Sequence, residues 1–484
     1  MATNSSRAAA DETSPKPWKT IILSELKKQA NITLPLIPMN STWFIKTAIT
    51  TAFLGRLGEL ELAAGTLGFT FANVTGFSIL TGLCWAMEPI CGQAHGAQNH
   101  KLLHKTLFRA ILLLLLTSIP ISFSWIYVDK IFLLVGQQED MAELAKVYVI
   151  YLLPDLVVTS LLCPLKTYLS SQGVTLPTLF SSAIALAFHV PLNILLSRNK
   201  GLKGVALATG LTDLIATITL AIYVIISEII KKKAGHEEES ELRGGGGGWW
   251  LLDLLKVSEW LHLLKLAMQC CFMGCMEWWC YEILIMLSGR VLAGDDGRRS
   301  VAVLTVVLNF DYLLYAVMIS MATCASTRVS NDLGGGHAQR AWFSACVSLG
   351  LGVVAGFIGG MAMVSFRGYW GGLFSNDEGV VKGVRKGLLF MALVEVFSIP
   401  LGVCGGVVRG TSRPWLGMFS AGGFYVVGLP LAVVLCFEVG IGVEGLLLGY
   451  MGGCVTGLGL ICVVVACLDW VGEAEKATQF AVSV

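Results

Sequence analysis

The sequence predicts an all-α membrane protein of twelve transmembrane helices in two pseudo-twofold-related six-helix bundles. Three observations carry this. The 484 residues are 55% hydrophobic and only 14% charged, with mean hydropathy +0.71, against about 25% charged in soluble domains. Twelve apolar runs are each about as long as the ~20 residues a helix needs to cross the bilayer. And the second half of the chain repeats the first.

The runs fall at about residues 32–55, 66–86, 107–127, 146–166, 176–197, 204–227, 265–288, 301–325, 341–364, 387–408, 416–436 and 443–467. An even number puts both termini on one side. Loops on that side carry 20 Lys and Arg against 13 opposite, so the expected side is the cytosol. The organisation that follows is a tail over 1–31, a lobe over 32–227, a linker over 228–262, a second lobe over 263–467 and a tail over 468–484. The linker holds Lys231–Lys233, acids 237–239 and five glycines at 244–248, a flexible composition. The WWLLDLLK stretch after it (249–256) reads as an interfacial helix, since Trp favours the headgroup zone.

The repeat shows as local matches at nearly constant offset. Gly173 pairs with Gly410 and Pro177 with Pro414, Gly204 with Gly445, and Gly96 with Gly334; FLGR (53–56) matches LSGR (287–290). Offsets stay between 234 and 241. Each half holds six spans, so both enter from the same face, and the pseudo-axis runs along the membrane normal. Parallel repeats of this kind are a transporter architecture with the site near the midplane between halves.

Composition also excludes. A net charge of +1 points to no nucleic-acid partner. Of the 14 cysteines, most lie in apolar runs, where Cys behaves as a small hydrophobe, and none has zinc or disulfide spacing. His100 and His104 are i, i+4, but beside Lys101 and Lys105 they read as a basic rim and not a metal site. No nucleophile or His/Asp constellation for an enzyme is visible. No metal and no cofactor are expected; the expected partners are a small organic solute, protons and the lipid bilayer, with the chain as a monomer.

A carboxylate at mid-span costs on the order of 2.5–3.5 kcal/mol on insertion scales, and in membranes such groups serve ion or proton relays and substrate contacts. Glu277, Glu282, Asp311 and Glu395 lie in or near apolar runs of the second half, Asp155 and Asp213 in those of the first, and Lys46 deep in the first span. Glu277 and Glu282 are about 140° apart around a helix, so at most one faces a central cavity. The plain reading is that each acid meets a buried partner and fixes packing. The functional reading is proton coupling, because desolvation raises a carboxyl pKa. One proton moved by ~100 mV and ~1.5 pH units supplies about 4.4 kcal/mol, or roughly a thousandfold gradient of a neutral solute. The repeat maps Glu277 onto Asn40–Trp43 and Asp311 close to Asn73, so the expected coupling site is asymmetric and in the second half. Lys46 has three readings: pairing with a buried acid, snorkelling and anion recognition. With Asn40 and Asn73 it is a candidate substrate or charge partner.

These residues resemble a family. FLGRLGELELAA (53–64), AMEPICGQAHGA (86–97), YLSSQG (168–173), Glu277–Trp279, RVSNDLG (328–334) and VVRGTSRP (407–414) are similar to the multidrug and toxic compound extrusion (MATE) family, plant detoxification subgroup. The resemblance implies two six-helix lobes opening alternately and solute efflux coupled to protons or sodium. It also implies that acids at the Glu277 and Glu395 positions take part in proton coupling. Members that couple through the N-terminal lobe carry an Asp in the first span; KTAITTAFLG (46–55) has none. The leading expectation is a proton-coupled efflux antiporter in the plasma membrane. The alternative is a membrane sensor that keeps the transporter fold and signals through a partner protein.

Overall fold

The computed structural model describes residues 18–134, 136–233, 256–288, 295–375 and 377–483, and among them there are helices and turns but no strands. In chain order the long helices are α1 (Trp18–Leu57), α2 (Glu59–Gly96), α3 (His100–Ile126), α4 (Glu139–Ser171), α5 (Leu176–Lys200) and α6 (Leu202–Lys233). The second half supplies α7 (Val257–Ser288), α8 (Asp295–Gly334), α9 (Ala338–Trp370), α10 (Glu378–Gly410), α11 (Pro414–Glu438), α12 (Val443–Ala466) and a final α13 (Trp470–Ser483). Eleven of the twelve spanning helices are apolar enough to cross a membrane on length and composition alone. The twelfth, α1, is diluted by Asn40, Ser41, Thr42, Lys46, Thr47, Thr50 and Thr51, because it runs against α8 and α5 inside the molecule.

Two segments expected as tails are helical. Residues 18–31 extend α1 outward, with Glu25 and Gln29 buried against the second half. Residues 470–483 form α13, whose Ala474, Ala477 and Ala481 are buried. The glycine run and the expected interfacial helix of the linker lie outside the described residues, apart from Lys256.

The repeat is visible in the backbone. Positive-φ residues recur at matching turns: Gln98 with Gly336, Gly173 with Ser412, and Gly201 with Gly442. Helices α4 and α10 are both 33 residues long and start 239 apart. The register at this turn is therefore 239, and Gly173 pairs with Ser412 where the sequence match had paired it with Gly410. Gly173 donates its N–H to the Ser170 carbonyl, and Val174 to that of Leu169 (2.9 and 3.0 Å). This closes the α4 C-terminus in the αL manner that favours glycine.

Apolar burial is split between two main cores. One runs from Leu54 to Cys270 and the other from Cys280 to Ile461. Helix α7 passes from the first to the second between Cys270 and Cys280. Outward faces of α3, α5 and α6 carry exposed Leu116, Phe123, Phe180, Phe188, Ile222 and Ile225, the apolar belt that hydrocarbon requires.

The halves are joined most densely at the face holding the start of α1, here the terminal face. Arg328 forks onto Glu25 (2.9 and 3.0 Å), and Gln29 donates to the Ser344 carbonyl (3.1 Å). Arg409 Nε donates to Glu88 (3.1 Å) with both side chains 4% exposed, and stacks its guanidinium over Trp85. Gln93 reaches Ser412 (2.9 Å) and Asn99 the Ala481 carbonyl (2.7 Å). Small residues allow this approach: a Cβ on Gly96 would collide with the Asn331 carbonyl, and one on Gly334 with that of Gln93.

Breaking a buried ion pair from one side leaves an uncompensated charge and costs about 3–5 kcal/mol. Glu88→Ala is therefore expected to lower the melting temperature of the detergent-purified protein sharply, and Glu88→Met with Arg409→Met to recover most of it. A wild-type melt for Glu88→Ala alone contradicts this closure.

Candidate functional site

A cavity of about 330 Å³ opens between α1, α2, α4, α5 and α6 of the first half and α7 and α8 of the second. Helical geometry explains which side chains reach it. Asn40, Trp43 and Lys46 recur at spacings of three along α1, on one face. Asn73 starts a π-helical turn, Asn73–Phe77, in α2, a local distortion that re-aims side chains and recurs at functional sites. From the second half come Gly274, Trp278, Tyr315, Ile319 and Thr323. The three polar residues expected at a solute, Lys46, Asn40 and Asn73, all line this cavity. Asn40 donates to Ser320 (2.8 Å), across the halves.

Lys46 pairs with an acid. Its ammonium donates to both oxygens of Asp213 on α6 (2.8 and 2.6 Å), with side chains 11% and 18% exposed. Asp213 also touches the carboxyl of Asp155 on α4, whose Oδ1 has no hydrogen-bond partner. Behind this cluster His189 bridges Thr50 (3.1 Å) and Thr212 (2.7 Å), fixing α5 between α1 and α6.

The second-half acids occupy a separate place. None of Glu277, Glu282, Asp311 and Glu395 lines the cavity. Asp311 and Glu395 are 3% and 2% exposed, and their carboxyls meet each other. Each keeps one oxygen with no hydrogen-bond partner among the described residues, Asp311 Oδ2 and Glu395 Oε1. The Tyr281 hydroxyl reaches Asp311, and the Tyr281 ring packs on Tyr450 and Tyr450 on Phe424, with centroids 5.2 and 5.3 Å apart. Glu277 is half-buried on the stretch of α7 that passes between the two cores, within electrostatic range of Arg409 and Asp311. Neither it nor Glu282 makes a hydrogen bond or ion pair among the described residues. The direct partner of Glu395 is thus Asp311, and Glu282 is not drawn into the group.

The first half is not merely amide and apolar where the second is acidic. Asp155 and Glu395 stand at positions 17 and 18 of α4 and α10. Both halves bring two carboxyls together, and among the described residues a lysine holds one acid of the first-half pair and neither of the second. Sequence reasoning had noted Asp155 and Asp213 without uniting them; their near-mid-span depth together with that of Lys46 was the available signal. Glu88 was missed because Glu88-Pro89 reads as a loop, although it lies in the buried turn of helix Met87–Gly96.

The MatE family profile matches residues 35–195 and 270–434. The chain belongs to the MATE family. Its twelve-helix fold is that of MATE transporters, and it is a membrane transporter and not an enzyme. Protein DETOXIFICATION 56 of Arabidopsis thaliana is 50% identical over 458 residues, covering 94% of this chain and 90% of that protein. Protein DETOXIFICATION 51 of the same plant is 36% identical over 464 residues, covering 95% and 84%. The eukaryotic MATE transporter AtDTX14 matches with TM-score 0.83 at 28% identity, over 95% of this chain and 99% of that one. An outward-facing multidrug resistance MATE family transporter shares the fold, with TM-score 0.76 at 14% identity over 95% and 97%.

Within this MATE protein the Lys46–Asp213 pair makes a direct prediction. Lys46→Met leaves two touching carboxyls without a cation, so the purified protein is expected to aggregate or melt earlier. Adding Asp213→Asn removes the orphaned charge and is expected to restore a monodisperse elution profile on size exclusion. A normal profile for Lys46→Met alone contradicts the pairing.

Proposed function

We propose that this chain is a proton-coupled antiporter that exports a small organic solute by alternating access, acting as a monomer in the plasma membrane. The observation that supports coupling is the contact between the Asp311 and Glu395 carboxyls, both of them buried. Two carboxylates in contact cannot both stay ionised in a low dielectric, so the pair takes up and gives back a proton as one unit. The first-half pair already has a cation in Lys46, which favours the second half as the place where the mobile proton binds. Glu277, between the two cores and in range of Asp311, is the relay between pair and cavity.

The terminal face is taken as cytosolic from its Lys and Arg excess. The ion pairs Glu25–Arg328 and Glu88–Arg409 join the halves at that face, as expected of a state whose solute path leads to the other side. A proton arriving from outside neutralises the Asp311–Glu395 pair, the solute leaves, and the halves rock to reopen the cytosolic face.

In proteoliposomes, a solute that the wild type moves under an imposed pH gradient is expected to lose gradient-driven flux at least tenfold in Glu395→Gln, Asp311→Asn and Glu277→Gln. Exchange without a gradient should persist. Wild-type gradient dependence in all three variants rejects second-half coupling.

A further inference from the structure

We infer that the cavity carries an anion site centred on Lys166, and that the exported solute is an aromatic carboxylate. The inference rests on the transport reading above for the word exported, and on cavity geometry alone for the site. Lys166 lies on α4 and lines the same cavity as Lys46. The other cation there and two of the three carboxylates are paired. Lys46 is held by both oxygens of Asp213, Glu88 is held by Arg409, and Asp155 rests on Asp213.

Of the two cations that line the cavity, Lys46 and Lys166, only Lys166 makes no hydrogen bond or ion pair among the described residues. Asp213 lies within its electrostatic range but is saturated by Lys46. An ammonium in a site this poor in water is stabilised by an anionic ligand, and a cationic one is repelled. The walls fix the rest of the ligand's chemistry. Trp43, Trp85, Trp278 and Tyr315 line the same space, offering flat apolar faces to a ring. A volume of about 330 Å³ suits one or two fused rings. A carboxylate on Lys166 and a ring among the tryptophans use both features at once. One such charge-assisted contact supplies roughly ten- to hundredfold in affinity.

The test is equilibrium binding to the purified full chain by tryptophan fluorescence, with no pH gradient, using 1-naphthoate against 1-naphthylmethylamine and naphthalene-1-methanol. The wild type is expected to prefer naphthoate at least tenfold over both. Lys166→Gln should abolish that preference, and Lys166→Arg should restore most of it, which separates a lost charge from a misfolded chain. Equal naphthoate binding by wild type and Lys166→Gln, preference for the amine, or no naphthoate binding by the wild type overturns the site. Naphthoate binding that follows Lys166 without gradient-driven flux leaves the anion site standing and removes the transport reading instead.

Discussion

Hydrocarbon offers no hydrogen bonds, and the architecture follows from how this chain satisfies polar groups inside it. Charges at depth must find each other. Glu88 finds Arg409 across the two halves, Asp213 finds Lys46 between α1 and α6, and Asp311 finds Glu395 between α8 and α10. Each solution has a different consequence. The first pair is complete and locks one face. The second is complete within one half and leaves a spare carboxyl, Asp155. The third joins two acids with no cation on them among the described residues.

That difference gives the two halves different roles despite their common plan. The backbone repeats closely enough that left-handed turn residues coincide at Gln98 and Gly336 and at Gly173 and Ser412. The side chains have diverged within it. Lys46 holds one acid of the first-half pair, and the cavity with its aromatic walls lies mostly there. The second half keeps a buried carboxyl pair. Helix α7 belongs partly to each core, and Glu277 sits on the stretch between them.

The fold was legible because hydrocarbon imposes a length and an apolar composition on each helix, and because the repeat survived in glycines at turns. It was less legible at α1, whose polar face is buried against protein, and at the ends, where helix continues beyond the apolar runs. The site was legible one residue at a time. Glu277, Asp311, Glu395 and Lys46 stand out as costly groups in apolar runs. Which of these groups pair was not legible, since Lys46 and Asp213 are separated by 167 residues, and only helix packing brings them together. The pairing of Asp311 with Glu395, and the absence of Glu282 from it, depend on helix rotation that periodicity alone does not determine. Lys166 went unremarked because a lysine near the end of a span reads as rim; only the cavity shows it facing inward.

The most direct test counts protons at equilibrium. If the Asp311–Glu395 pair is the coupling site, adding a transported solute to the purified protein in weakly buffered detergent solution releases protons that a pH indicator records. The variant carrying Asp311→Asn with Glu395→Gln then binds solute and releases none. Undiminished proton release from that double variant would place the exchangeable proton elsewhere and contradict the account.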